Sequence, residues 1–355
     1  MISLVTGACG FIGSHMVETL ARAGHEVIAA DLPAALAAAP SDRSRFPEVC
    51  AAAGARLVPL DLTDPITMRP AVEGAEIVFH IAAVFDYTAP EHVLQRVNVD
   101  GTRALLDALL AAGTCRRFVN WGAGGIYGLP DPRTPVFSED SPARPGNAYL
   151  VSKWDQERLA HSYRERGLGV TSVRPVSPYG PRAAYGSGQL LLGLAERSRP
   201  VAFSNLTGNI PMEHVEDVCS AALHLAVHPA ADGEAYNVTA DGDMDAVRLA
   251  RIVADEMGSE PLILPPVPLR ALRKVLSGAA RIGAVAARRK GARPLLEYDQ
   301  VQYFGRDWRY SNAKLKDTGF RFAWPEPEPG IRATLRWYLD NVWLRPARAR
   351  AAARG

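Results

Sequence analysis

Thr6-Gly7-Ala8-Cys9-Gly10-Phe11-Ile12-Gly13 is the stretch on which the fold turns. It follows an apolar run at 2–5 that reads as a strand, and it opens a helical pattern at 11–23. Glycines at 7, 10 and 13 permit a tight turn and let backbone come close to a pyrophosphate. The free N–H groups and positive dipole end of the helix then face that anion. The spacing is G-x-x-G-x-x-G rather than the G-x-G-x-x-G of the commonest dinucleotide fingerprint, so a plain glycine turn is the alternative.

The pattern repeats outward from this loop. Runs at 26–30, 56–59, 77–80, 117–121 and 170–173 read as strands, and 67–72, 98–112 and 148–166 as helices. Strands alternating with crossover helices imply an α/β fold with a doubly wound parallel sheet. Gly24 and Gly113 each follow a helix, where a left-handed cap is expected. Beyond 177 the rhythm loosens. Helices are expected at 190–196, 215–227 and 246–257, and a strand at 235–238 returns to the sheet. The division is a dinucleotide-binding domain over 1–176 joined by 207–240, and a smaller C-terminal α/β substrate lobe from 177–206 and 241–343. A basic, Ala-rich amphipathic segment covers 269–290, and 344–355 is expected to be a disordered basic tail.

Composition narrows the function. The 355 residues carry a net charge of +2, too little to argue for nucleic acid, and no basic patch is interleaved with aromatics. Cys9, Cys50, Cys115 and Cys219 have no metal-ligand spacing and read as free thiols, so no metal is expected. The chain opens directly on a strand, with no leader pattern, and no apolar run is long enough for a spanning helix. A cytoplasmic location is expected.

Asp31 ends the second strand about twenty residues past the loop, where an acid accepts hydrogen bonds from the adenosine ribose. A carboxylate there repels a 2′-phosphate, and Leu32-Pro33 brings no arginine, so NAD is expected over NADP. A solvated acid at a strand end is the alternative. Tyr149 and Lys153 lie four apart at the start of a helix, on one face. The ammonium would lower the phenol's pKa from its ordinary value near ~10 and hold the nicotinamide ribose. Tyr149 would then exchange a proton with a substrate oxygen while the cofactor carries hydride. A packed tyrosine beside an exposed lysine is the bland alternative.

Together these pieces resemble the extended short-chain dehydrogenase/reductase family, over about residues 1–343. The matching stretches are the 6–13 loop, Asp61-Leu62-Thr63-Asp64, His80-Ile81-Ala82-Ala83, Asn98-Val99-Asp100-Gly101-Thr102, Ile126-Tyr127-Gly128, Tyr149 to Lys153, Arg174-Pro175 with Tyr179-Gly180-Pro181, and Tyr236-Asn237-Val238. The resemblance implies a Rossmann fold, an enzyme and a homodimer paired through 98–112 and 148–166. It implies that Gly7, Gly10, Phe11, Ile12 and Gly13 hold the pyrophosphate, that Asp61 and Leu62 border the adenine, and that Ala82 and Ala83 line the cofactor. Tyr149 and Lys153 would be the catalytic pair, with Pro175 beside the nicotinamide. His80 and His214 are expected to be structural. Pro294-Leu295-Leu296, Tyr310-Ser311-Asn312 and Trp337-Tyr338 lean towards the branch with 3β-hydroxysteroid dehydrogenase-like reductases.

One departure matters. The family's Ser or Thr four residues before the V-Y-G tyrosine is Ala123 here, within Gly122-Ala123-Gly124-Gly125. Losing such a donor typically costs on the order of 10²–10³ in rate. Tyr87, Thr88, Tyr179 or a bound water are the substitutes the sequence offers, and the small residues are expected to widen the pocket. The cations and amides that nucleotide-sugar enzymes use are replaced by Ser177, Ile210 and Pro211, leaving Arg182 or Arg199 to compensate. The expected activity is an NAD-dependent oxidoreductase acting on an alcohol or ketone of a hydrophobic small molecule. A sugar or nucleotide-sugar epimerase is the alternative, and an NAD-binding protein with a repurposed pocket the third. Peripheral membrane contact by 269–290 stays open.

Overall fold

In the computed structural model, residues 1–131, 134–289 and 298–345 are described. Six strands follow the expected alternation: β1 Ile2–Thr6, β2 Glu26–Asp31, β3 Arg56–Pro59, β4 Ile77–His80, β5 Arg117–Trp121 and β6 Gly169–Pro175. Four more short strands are β7 Pro178–Tyr179, β8 Val201–Phe203, β9 Glu213–His214 and, returning to the main sheet, β10 Ala235–Val238; β11 is Leu262–Leu264. The main sheet has seven strands in the order β10-β6-β5-β4-β1-β2-β3, all paired in parallel.

Both faces of that sheet are covered, which is why its strands read as unbroken apolar runs. Side chains alternate across the sheet plane. Val5, Ala29, Phe79 and Val119 pack against helices Phe11–Arg22 and Val215–Val227. Leu4, Ile28, Val78 and Phe118 pack on the other face against Gly101–Ala112 and Ala148–Ser162. The strand order reverses between β1 and β4, and the crevice at their carboxyl ends is where doubly wound sheets bind ligands.

The smaller lobe has its own core. Helices Ser187–Ala195, Ala246–Glu256 and Pro327–Asp340 bury Leu191, Leu249, Val253, Ile331 and Tyr338, and β8 pairs with β11. Pairing of β7 with β9 ties it to the sheet. Helix starts follow local capping: Asn147 accepts from Leu150 N–H at 2.9 Å, and Asp245 from Val247 and Arg248. Gly24 and Gly113 have φ of 79° and 70°, as their place after helices requires. Residues 269–289 form one helix, Leu269–Arg289. The stretch 294–296 and the tail from 346 onward lie outside the described residues.

Candidate active site

The phosphate loop closes on itself. Gly10 N–H donates to Gly7 O at 3.1 Å, and the helix that follows starts without a side-chain cap or an acidic residue in its first turn. Its N-terminus is therefore open to an anion. The glycines are required by space. A β-carbon on Gly13 would lie 2.0 Å from Gly7 O, and one on Gly7, whose φ is +67°, would lie 2.9 Å from Ala82. Ala82 N–H in turn donates to Thr6 Oγ1 at 3.2 Å, fixing the β4 end against the β1 loop. Gly13 thus lets the helix pack on the loop backbone, and the uncapped helix N-terminus over the glycine turn fits a dinucleotide pyrophosphate.

Asp31 stands where the sequence placed it, at the end of β2. Its Oδ2 accepts from Cys9 N–H at 2.9 Å and its Oδ1 from Leu32 N–H at 2.8 Å. Burial raises its pKa, opposed by these two donors and by nearby Arg45. A carboxylate has about four lone-pair sites, so capacity for ribose hydroxyls remains. Asp61 folds onto its own turn, with Oδ1 accepting from Thr63 N–H and Oγ1 at 2.8 Å, and Leu62 is buried against Gly101. Ala83 follows Ala82 beyond β4, and Pro175 ends β6 paired with Val238. His80 is fully buried between Thr6 and Thr102 hydroxyls, with its pKa pushed down to about 3 by burial and Lys153. His214 packs on Trp324 and Tyr179 and caps the helix after it. Neither histidine is placed as a catalyst.

Tyr149 and Lys153 share the inner face of Ala148–Ser162 and are both buried. Lys153 Nζ donates to Gln156 Oε1 at 2.7 Å; Gln156 Nε2 donates to Asn120 Oδ1, and Asn120 Nδ2 to Ser172 Oγ. Burial brings the Lys153 pKa down to about 7, partly countered by Glu157. Burial also raises the Tyr149 phenol, with Tyr303 adding to the effect. The expected lowering of Tyr149 by Lys153 is not seen in this state: burial and Tyr303 both raise the phenol, and Lys153 Nζ is turned to Gln156.

Aromatic rings enclose Tyr149. Phe85 and Tyr87 meet its ring edge-on at centroid distances of 5.2 and 5.3 Å. Their loop is held by Asn98, whose Oδ1 accepts from Val84 N–H at 2.8 Å and whose Nδ2 donates to Ser152 Oγ. Ala123 lies between two buried clusters, one of Leu94, Tyr149 and Leu150 and the other of Ile126, Tyr127, Phe137 and Trp308. The glycines around it leave no wide space. β-Carbons would lie 2.7 Å from Glu157 Oε2 at Gly122, 2.6 Å from Val176 Cγ2 at Gly124, and 2.9 Å from Leu150 and 3.1 Å from Tyr303 Oη at Gly125. The expected widening of the pocket is therefore corrected: neighbouring side chains occupy that room.

Two groups were missed by sequence reasoning. Tyr303 ends helix Tyr298–Tyr303, stacks on Trp308 at 4.7 Å and brings its hydroxyl over Gly125. Glu213 is buried in β9; its Oε1 accepts from Val176 and Ser177 N–H at 2.7 and 2.6 Å, just beyond Pro175. Its Oε2 has no partner among the described residues, and burial pushes its pKa up to about 8. Of the substitutes named from sequence, Thr88 donates to Asp86 and Tyr179 to Pro327 O. Arg182 pairs with Glu18, and Arg199 donates to Glu260 and Pro261 carbonyls. Among the described residues there is no metal-binding cluster of His, Cys, Asp and Glu, and no helix is long and apolar enough to cross a membrane.

Known proteins resemble this chain in sequence and fold. The model of the NAD dependent epimerase/dehydratase family matches residues 3–239. Dihydroflavonol 4-reductase of Zea mays is 29% identical over 67% of this chain and 71% of its own. The decarboxylating sterol-4-alpha-carboxylate 3-dehydrogenase of Bos taurus is 29% identical over 67% of this chain and 64% of its own. The crystal structure of Thermus thermophilus UDP-glucose 4-epimerase in complex with NAD superposes with a TM-score of 0.70 at 25% identity, covering 95% of this chain and 99% of that one.

Proposed function

The chain belongs to the NAD dependent epimerase/dehydratase family, and from that premise we propose that it is an NAD-dependent oxidoreductase interconverting an alcohol and a ketone on a hydrophobic small molecule. The observation that carries the reading is the aromatic enclosure of Tyr149 by Phe85 and Tyr87, with Tyr303 over Gly125. Such walls favour a flat apolar substrate. Arg182 and Arg199, the cations the sequence offered for a diphosphate, are engaged elsewhere. Dihydroflavonol and sterol carboxylate, named for two relatives, are substrates of that apolar kind.

In this reading Gly7, Gly10, Phe11, Ile12 and Gly13 hold the pyrophosphate, Asp31 the adenosine ribose, Asp61 and Leu62 the adenine edge, and Ala82, Ala83 and Pro175 the remaining wall. NAD, when bound, supplies the hydride acceptor or donor. Lys153 leaves Gln156 for the nicotinamide ribose, and its ammonium then favours the Tyr149 phenolate. Tyr149 takes the proton of the substrate hydroxyl in oxidation and returns it in reduction. Ala123 gives no donor to the substrate oxygen; the Tyr303 hydroxyl supplies it from the opposite wall.

The test is a screen of hydrophobic alcohols, including 1-tetralol and a 3β-hydroxysteroid, followed at the reduced nicotinamide absorbance band. Turnover with these and none with UDP-glucose is expected. Tyr149→Phe should abolish it while leaving NAD affinity nearly intact; unchanged turnover overturns the Tyr149 role. Copurified NAD with interconversion of UDP-sugars and no net redox would replace the reading with an epimerase.

A further inference from the structure

The helix Leu269–Arg289 carries an apolar outer stripe that stays exposed among the described residues. Its sequence holds Arg270, Arg273, Lys274, Arg281, Arg288 and Arg289 and no acid, in a chain whose net charge is only +2. One side is packed on the body: Ala280 is buried, Arg273 Nη1 donates to Phe304 O at 3.1 Å, and Gln302 Nε2 donates to Ser277 Oγ at 3.3 Å. The other side is apolar and open. Val275, Ile282 and Val285 are 69%, 75% and 54% exposed. At about 100° per residue these three fall within a sector of roughly 80°, and Arg270, Lys274 and Arg281 fall within about 40° along its edge.

We propose that this face docks the protein on a bilayer surface bearing anionic headgroups, with Val275, Ile282 and Val285 entering the acyl boundary and Arg270 and Lys274 meeting the headgroups, while Arg281 lies over the Tyr298 ring at 4.6 Å. An exposed β-branched stripe flanked by cations and free of acids is the pattern of a helix lying in the interface plane. Charge chooses the occupant. A second copy would bring an equally basic helix against this one, and a nucleic acid would leave the apolar stripe without a partner. The helix also bears on the site: it packs on Tyr298–Tyr303, whose last residue reaches Gly125 beside Tyr149. Docking would thus set the aromatic enclosure next to a reservoir of apolar molecules. The proposal goes beyond the redox reading and does not need it.

The full chain is sedimented with vesicles of phosphatidylcholine alone and of phosphatidylcholine with equal phosphatidylglycerol. Association with the anionic vesicles only, largely reversed at about 0.5 M salt, is expected. The double variant Val275→Glu/Ile282→Glu should lower the partition coefficient at least about tenfold, with melting temperature and NAD affinity unchanged. Arg270→Gln/Lys274→Gln should weaken binding severalfold, with Arg281 left in place on Tyr298. No association with anionic vesicles overturns the proposal, as does equal retention of both variants. So does a dimer, seen by sedimentation velocity, that Val275→Glu/Ile282→Glu dissolves, since that assigns the face to a second copy.

Discussion

The hydroxyl of Tyr303 stands 3.1 Å from where a β-carbon on Gly125 would project. A residue from the C-terminal segment thus fills the space at Gly125, two residues from Ala123, which lacks its expected hydroxyl. If Tyr303 donates to the reacting oxygen, Tyr303→Phe lowers kcat by roughly 10²–10³ with KM and NAD affinity little changed. Adding Ala123→Ser to that variant should recover part of the loss. Steady-state kinetics on an alcohol that turns over in the screen decides it. An unaltered kcat, or a loss that Ala123→Ser leaves in place, removes Tyr303 from the chemistry.

The loop glycines should differ sharply in tolerance. A β-carbon at Gly13 meets backbone at 2.0 Å, whereas one at Gly10 has its nearest contact at 3.3 Å. Gly13→Ala is expected to destabilise by more than about 2 kcal/mol and to abolish NAD binding, and Gly10→Ala to cost roughly 1 kcal/mol or less. Denaturant melts and titration calorimetry with NAD read both.

In the proposed reading Asp31 sets cofactor choice. Asp31→Asn should weaken NAD roughly tenfold and reduce discrimination against NADP, because the charge that repels a 2′-phosphate is gone while Arg45 stays close by. Dissociation constants for the two dinucleotides, measured side by side, test this. An unchanged ratio would move the specificity elsewhere.

Glu213 makes stability depend on pH. Its pKa is about 8 when folded against an ordinary 4.5, so the folded protein holds a proton the unfolded chain releases. The contribution is fully present below about pH 4.5 and is lost as pH rises through about 8. Lys153, lowered to about 7, acts in the opposite sense from higher pH, its contribution being lost as pH falls through 7. The difference between wild type and Glu213→Gln isolates the carboxyl. Wild type should lose roughly 1–3 kcal/mol relative to the variant between pH 5 and 8. Parallel denaturation curves across that range would contradict the buried, protonated Glu213.

The six leading strands and their crossover helices were legible because a sheet covered on both faces writes itself as apolar runs between helical patterns. The phosphate loop, Asp31 and the Tyr149–Lys153 helix were legible because each is contiguous. What was hidden is short or distant. Helices Pro33–Leu36 and Pro47–Ala52 are too short to show a period, and their proline starts read as breaks. The two-residue strands β7 and β9 exist only through their pairing. Glu213 sits in Glu213-His214-Val215-Glu216-Asp217, a charged run of which the fold buries all but Glu216. Tyr303 lies far from Gly125 in sequence, and only packing joins them. The glycines at 122, 124 and 125 looked like vacant space because a sequence names the residue that is small and not the neighbour that makes it so.

The Tyr303 hydroxyl that reaches Gly125 rides on a six-residue helix held to the basic helix by Gln302 and Ser277. If Tyr303 is the donor, loosening that hold would leave the dinucleotide cradle whole yet silence the reaction, and mutations far out on the C-terminal lobe would switch turnover without touching cofactor affinity.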